Sequence, residues 1–233
     1  MSLWRADLHV HTVLSGCAEP EMIPPALVAR AREVGLDLVG VVDHNAAGNA
    51  VAVVEAAGSN IMVLPGLEVE TRESVHLLCL FDAPAPALEI QELVFAHLPP
   101  AGRIARAFGA CRLAASDGSL VGEERRPLYM ATDLSVEEVA REAHHRGALV
   151  LAAHAHRRAH GLLGVLGFVP AGLALDGLES GPGGLQPGFL CGSDAHRLSE
   201  IGTRYTVFEV ETPSVEELRR AIAEGRFRPG LSL

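Results

Sequence analysis

Leu3-Trp4-Arg5-Ala6-Asp7-Leu8-His9-Val10-His11 stands at the head of the chain. Residues 3–9 read as a strand, and the stretch closes on two histidines two positions apart, which an extended backbone turns to one side. The same ending recurs along the chain. An apolar strand over 36–42 runs into Asp43-His44, and one over 61–69 carries Glu68 near its end. His76 lies in the next strand, 75–81, the strand over 148–153 runs into His154, and a weaker strand over 188–191 is followed by Asp194 and His196.

Between these strands lie helical patterns. They cover 24–34, with Pro24 and Pro25 in the first turn; 46–57; 88–97; 136–146, capped by Asp133 or Ser135; and 214–223, capped by Ser214. A hairpin is expected over 110–124 with Asp117-Gly118 as its turn, a weak strand over 173–178, and another strand over 205–210. Segments 99–109 and 180–188 read as surface connections. The alternation implies an α/β fold with a mostly parallel sheet and helices outside it, one domain over 1–233. In such folds the strand C-termini share one face, where active sites are built.

Composition narrows the function. The chain has 233 residues, 48% of them hydrophobic, enough for one large core. A net charge of −10 argues against sequence-independent duplex binding, which relies on many basic contacts to phosphate, so no duplex nucleic acid is expected as a partner. Cys17, Cys79, Cys111 and Cys191 form no CxxC pair, and Cys79 and Cys111 sit in apolar stretches as core thiols. The first residues lack the pattern of a secretory leader, and no apolar run reaches the ~18 residues of a membrane span, so a reducing cytoplasm and no membrane are expected.

Taken singly, each polar strand ending has an ordinary explanation: a cap, a turn former, a surface carboxylate. Their joint placement at strand ends points to chemistry instead. Several carboxylates and imidazoles at short range need cations between them, and imidazole with carboxylate suits zinc, iron and manganese. His97, His144, His145 and His160 lie in helix ends or loops and are not assigned to metal. His156 is given a supporting or surface role, and Cys17 is read as a thiol near the cluster, with thiolate ligation as the alternative.

The quoted segments resemble the PHP (polymerase and histidinol phosphatase) family. The matching stretches are Asp7-Leu8-His9-Val10-His11-Thr12, Val42-Asp43-His44-Asn45, Pro65-Gly66-Leu67-Glu68, His76 within Val75-His76-Leu77, Ala153-His154 and Ser193-Asp194-Ala195-His196, in the family's order. The resemblance implies a distorted (β/α)7 barrel and phosphoesterase activity, with two or three divalent ions (Zn, Mn or Fe) as cofactors. Carried over by position, the first ion would take His9, His11, Glu68 and Asp194; Glu68 would bridge to a second with His76 and His154; a third would take His44, His196 and one residue after the first motif. There the chain departs from the family: Gly16 stands where many members have an aspartate, and Glu21, with Glu19 behind it, is the expected replacement. His9, His11, Glu68, His154, Asp194 and His196 are the residues expected to carry catalysis, and Arg157 is expected to bind substrate phosphate.

The expected reaction is hydrolysis of a phosphate ester, in a small molecule, nucleotide or short oligonucleotide, by hydroxide at a di- or trinuclear centre. One alternative is C–N hydrolysis as in amidohydrolase-like barrels, which usually carry a lysine ligand; all 19 basic residues here are arginine. Another is a non-catalytic, metal-stabilised module that binds a nucleotide or partner.

Overall fold

A computed structural model describes residues 1–101, 109–181 and 184–232. In chain order the elements are β1 (Ser2–Val10), α1 (Pro24–Glu33), β2 (Leu38–His44), α2 (Gly48–Ala57), β3 (Met62–Glu70), β4 (His76–Leu80), α3 (Pro84–Ala96), β5 (Cys111–Ala114), β6 (Leu120–Glu124), α4 (Val136–His145), β7 (Leu149–Ala152), α5 (Leu162–Leu166), β8 (Gly177–Ser180), β9 (Leu190–Cys191), β10 (Arg204–Val210), α6 (Val215–Ala223) and β11 (Phe227–Leu231). Nine strands share one sheet, ordered β11-β10-β1-β2-β3-β4-β7-β8-β9, and β5-β6 form a separate hairpin.

Seven of the nine strands run one way, as expected, while β4 and β10 run against their neighbours. The reversal of β4 follows from chain length. Only five residues, 71–75, separate β3 from β4, and a parallel return needs a crossover of a dozen or more. A tight turn serves instead, closed by Ser74 N–H to Thr71 C=O and Thr71 N–H to Val75 C=O. As a result His76, the first residue of β4, pairs with Glu70 at the end of β3. It therefore lies at the barrel end where the parallel strands finish.

A bulge in β1 settles which way the paired histidines face. Trp4, Ala6 and Leu8 pack into the inner cluster with Leu38, Val42, Leu64, Leu78, Leu151 and Phe208, whereas Val10 packs outward with Val39 and Val41. Between Asp7 and Val10 the register against β2 slips by one residue. A slip of one exchanges the two faces of a strand, so the interior parity passes from 4, 6, 8 to 9 and 11. Gly40 lies against the bulge, where a Cβ would come within 2.6 Å of the Leu8 carbonyl oxygen.

The sheet curls until β9 nears β10, and side chains close the seam. Thr206 Oγ1 accepts from Cys191 N–H (2.8 Å) and donates to Cys191 C=O (3.0 Å). Arg204 donates to the carbonyls of Gly192, Ser180 and Gly181. The result is the distorted, nearly closed barrel that the resemblance implied. Val215, Leu218 and Ala221 of α6 join the inner cluster, while α3 and α4 cover one outer stretch of the sheet and α1 and α2 another.

Several expectations shift. The weak strand over 173–178 is strand only from Gly177, and that over 188–191 only at Leu190–Cys191. α5 and β11 are additions to the sequence reading. Ser135 rather than Asp133 caps α4, in a capping box with Glu138. Cys79 and Cys111 are buried, as expected. Most of the connection over 99–109, and 182–183 of that over 180–188, lie outside the described residues. Among the described residues no helix is long and apolar enough to cross a membrane.

Candidate metal centre

The strand ends bring His9, His11, His44, Glu68, His76, His154, Asp194 and His196 together at one mouth of the barrel. Glu68, on the inner face of β3, is 1% exposed and stands at the centre. Its Oε1 lies 3.3 Å from His9 Nε2, 3.3 Å from His154 Nε2 and 2.8 Å from His76 Nδ1. Its Oε2 lies 2.9 Å from His44 Nδ1 and 3.5 Å from His11 Nε2. Asp194 Oδ1 is 3.3 Å from Nε2 of both His9 and His11. Among the described residues four sets of donor atoms lie within 4.8 Å of one another: His9, His11 and Asp194; His44, Glu68 and His76; His11, His44 and His196; and Glu70, His76 and His160.

The electrostatics are those of a crowded, largely buried site. Burial disfavours the charged form of Glu68, but the facing His76 and His9 rings outweigh it and hold the carboxyl well below its usual range. Asp194 is lowered too, burial being outweighed by His9 and His11. Burial pushes His9 down, yet Glu179, Asp194 and Glu68 raise it well above the ordinary imidazole range. His11 is driven well below that range by burial and by the neighbouring His196 and His44.

The donor set fits divalent metal. His9 Nε2, His11 Nε2 and Glu68 Oε2 are buried with no hydrogen bond of proper geometry, and each orphaned atom costs about 1–3 kcal/mol unless something takes its lone pair. The other nitrogen of each first-strand histidine is already engaged. His9 Nδ1 meets Glu179 Oε2 at 2.9 Å, and His11 Nδ1 meets Ser15 Oγ at 3.0 Å. That pattern turns both Nε2 lone pairs inward, as ligating histidines require.

Asp43 organises the loop after β1. It accepts from Thr12 N–H (2.7 Å), Thr12 Oγ1 (2.6 Å), Ser15 N–H (3.2 Å) and Ser15 Oγ (2.6 Å). Asn45, His154 and Asp194 adopt left-handed φ of 49°, 31° and 55°, conformations that cost on the order of 1–3 kcal/mol each and cluster at functional sites.

A cavity of about 280 Å³ opens onto the cluster, lined also by Cys17, Glu70, Tyr129, Arg157 and His160. Arg157 lines the cavity, with a guanidinium nitrogen 3.5 Å from Asp194 Oδ2. Glu21 does not: its side chain is exposed and it is absent from the cavity wall. The loop from Thr12 to Ala18 turns back before it, so Gly16 and Cys17 face the cluster instead. Glu19 is also turned away, 3.6 Å from Arg197. His160, left unassigned from the sequence, stacks on His76 with ring centroids 4.4 Å apart and lies 3.5 Å from Glu70 Oε1. His156 stacks instead on Phe189, His97 pairs with Asp133 and His144 with Asp176.

Glu179 and Glu70 were missed by the sequence reading. Glu179 is buried at the end of β8 and also accepts the His154 backbone N–H at 3.0 Å. It follows the pattern of a carboxylate closing a strand, but the weak strand expected there ended at 178, one residue short of it. Gly192 leaves room for it, since a Cβ there would sit 2.3 Å from Glu179 Oε1 and 2.8 Å from His9 Cβ.

Among curated proteins none matches the chain. A family model described as PHP-associated matches residues 188–227, which include Asp194 and His196. Of solved structures, the lesion-specific endonuclease EndoQ from Pyrococcus furiosus is similar over 100% of this chain and 58% of its own, with a TM-score of 0.70 and 22% identity. An Endonuclease Q holding a 27-mer duplex with an abasic lesion at the active site aligns over 96% of this chain and 57% of its own, with a TM-score of 0.67 and 21% identity. A Bifidobacterium adolescentis protein assigned as a metal-dependent phosphoesterase aligns over 98% of this chain and 97% of its own, with a TM-score of 0.54 and 19% identity. The chain thus spans under two thirds of the Endonuclease Q chains. The duplex complex overturns the expectation, drawn from net charge, that duplex nucleic acid is no partner for such a fold. Net charge sums a whole surface, while a duplex meets one face. The PHP-associated segment and the shared fold bear out the chain's resemblance to the PHP family.

Proposed function

We propose that the protein is a metal-dependent phosphoesterase. The observation that carries this reading is the set of buried, unpartnered donor atoms converging on Glu68. His9, His11, Glu68 and Asp194 would hold one ion, Glu68, His76 and His154 a second, and His44 and His196 would contribute to a third. When bound, such ions act as Lewis acids toward phosphoryl oxygens and bring the pKa of water toward neutrality. The chain's own residues do the rest. Glu179 and Ser15 fix the faces of His9 and His11. Arg157, half-exposed on the cavity wall beside Asp194, would offer a planar guanidinium to a non-bridging phosphate oxygen. The buried Glu68 and its histidine ring keep bulk water from the inner wall.

A second reading is phosphodiester cleavage within a nucleic-acid strand, favoured by the whole-chain match to a lesion-specific endonuclease. Both are tested by incubating the manganese- or zinc-loaded protein with mono- and bis-(p-nitrophenyl) phosphate and with a labelled duplex carrying an abasic site. Turnover of at least one, abolished in His9→Ala, is expected. Turnover undiminished in that variant would sink the site assignment. Cleavage confined to the duplex would select the second reading.

A further inference from the structure

We propose that Tyr129 and Glu70, with His160 behind the carboxylate, form a subsite for the leaving group of the phosphate ester, and that this group is an alcohol with a flat ring and adjacent hydroxyls, as a nucleoside is. The inference deepens the phosphoesterase reading above and rests on it. It begins from what the ion ligands and Arg157 leave over. The cavity of about 280 Å³ lies near the ~300 Å³ lower bound of small-molecule sites, more room than a phosphate group fills. Part of its remaining wall is Leu128 and Cys111, both buried and apolar, the half-buried Tyr129, and the polar pair Glu70 and His160. None of these is among the proposed ion ligands.

The chain holds this wall in place. The Asn45 amide donates to the carbonyls of Leu128 (2.8 Å) and Met130 (3.0 Å), on either side of Tyr129, and its Oδ1 accepts from Glu70 N–H (3.0 Å). Thr132 N–H and Oγ1 both donate to the Glu70 carbonyl at 2.9 Å. Tyr129 is thereby fixed beside the end of β3, and the left-handed φ of 49° at Asn45 serves that link. His160 is held too: its carbonyl accepts from His76 N–H at 2.8 Å, and its ring stacks on His76. The Glu70 side chain, 12% exposed, has His160 Nδ1 at 3.5 Å and His76 Nε2 at 3.8 Å. His160 Nδ1 is buried and makes no hydrogen bond of proper geometry, so the carboxylate keeps acceptor positions open toward the cavity. A carboxylate repels phosphate and can only accept, so it recognises a donor, and its paired oxygens suit two adjacent hydroxyls. The Tyr129 ring adds a face on which a flat ring can stack.

Adenosine and dideoxyadenosine, which lacks the adjacent pair of ribose hydroxyls, are the probes. Neither carries phosphate, so binding is read without turnover. Their affinities for the full chain as purified, measured by ligand-observed nuclear magnetic resonance, should favour adenosine. Tyr129→Ala should weaken both by about tenfold, and Tyr129→Phe should restore them. Glu70→Ala should erase the preference while leaving dideoxyadenosine bound as in the wild type, which shows the fold intact. Equal affinity of the wild type for both, binding of neither, or binding unmoved by Tyr129→Ala overturns this inference alone. Adenosine binding as expected, with no phosphate ester turned over in the assay above, overturns the phosphoesterase reading and with it the leaving-group role.

Discussion

At the scale of residues, a buried carboxylate behind His9 governs what His9 can do. With Nδ1–H held by Glu179, the imidazole aims Nε2 at the space between Glu68 and Asp194, where an ion would take its lone pair. The same carboxylate takes the backbone N–H of His154, a residue held at a positive φ, so it steadies two proposed ligands on different strands. Partners of this kind contribute roughly 10–100-fold to metal affinity. Glu179→Gln is therefore expected to weaken metal binding by about that factor, read by competition with a chromogenic chelator. Gly192→Ala, which would drive a methyl into Glu179, should do the same. Unchanged affinity in both would remove Glu179 from the account. The ligand histidines were legible in the sequence because each closes an apolar strand. Glu179 was not, since the expected weak strand stopped at 178 and only the observed strand, Gly177–Ser180, carries Glu179 into the interior. The facing of Cys17 was not either, because it depends on how Asp43, forty-three residues into the chain, ties down a loop.

At the scale of elements, Asp176 joins three pieces of the barrel. It accepts from His144 Nε2 on α4 (3.0 Å), from Val150 N–H on β7 (2.7 Å) and from Arg219 Nε on α6 (3.0 Å). Burial opposes its charge, but the His144 and Val150 hydrogen bonds and Arg219 outweigh it and lower its pKa below 3.8. A depressed carboxyl contributes stability that is fully present above its unfolded pKa and lost as pH falls through the folded one. Unfolding free energy should accordingly drop with pH below 3.8, and Asp176→Asn should both destabilise the protein near neutrality and flatten that slope. Denaturant titrations across this window check it; an unaltered slope in the variant would contradict the linkage. The α/β rhythm was legible because strands and helices here have distinct apolar periods. The reversed β4 was written in the five-residue link before it, and the β1 bulge was hidden. Simple alternation would turn His9 away from the face of Ala6 and Leu8, and only the slip against β2 brings it inside.

At the scale of the whole molecule, an acidic chain assembles six imidazoles and two carboxylates at one mouth of the barrel. Ions bound there and not to the unfolded chain stabilise the fold by mass action, about 2.7 kcal/mol at a hundredfold excess over Kd. Chelation should lower the midpoint of thermal unfolding, and readdition of zinc or manganese should restore it. An identical midpoint with and without chelator would speak against a bound centre. Net charge is no guide to this site, because local arrangement, not the sum, decides what binds. The most direct test is the metal content of the gently purified protein, counted per chain by mass spectrometry of the digested sample. At least two divalent ions per chain are predicted, falling on substitution of Glu68 by Gln; one ion or none in the wild type would contradict the multinuclear centre.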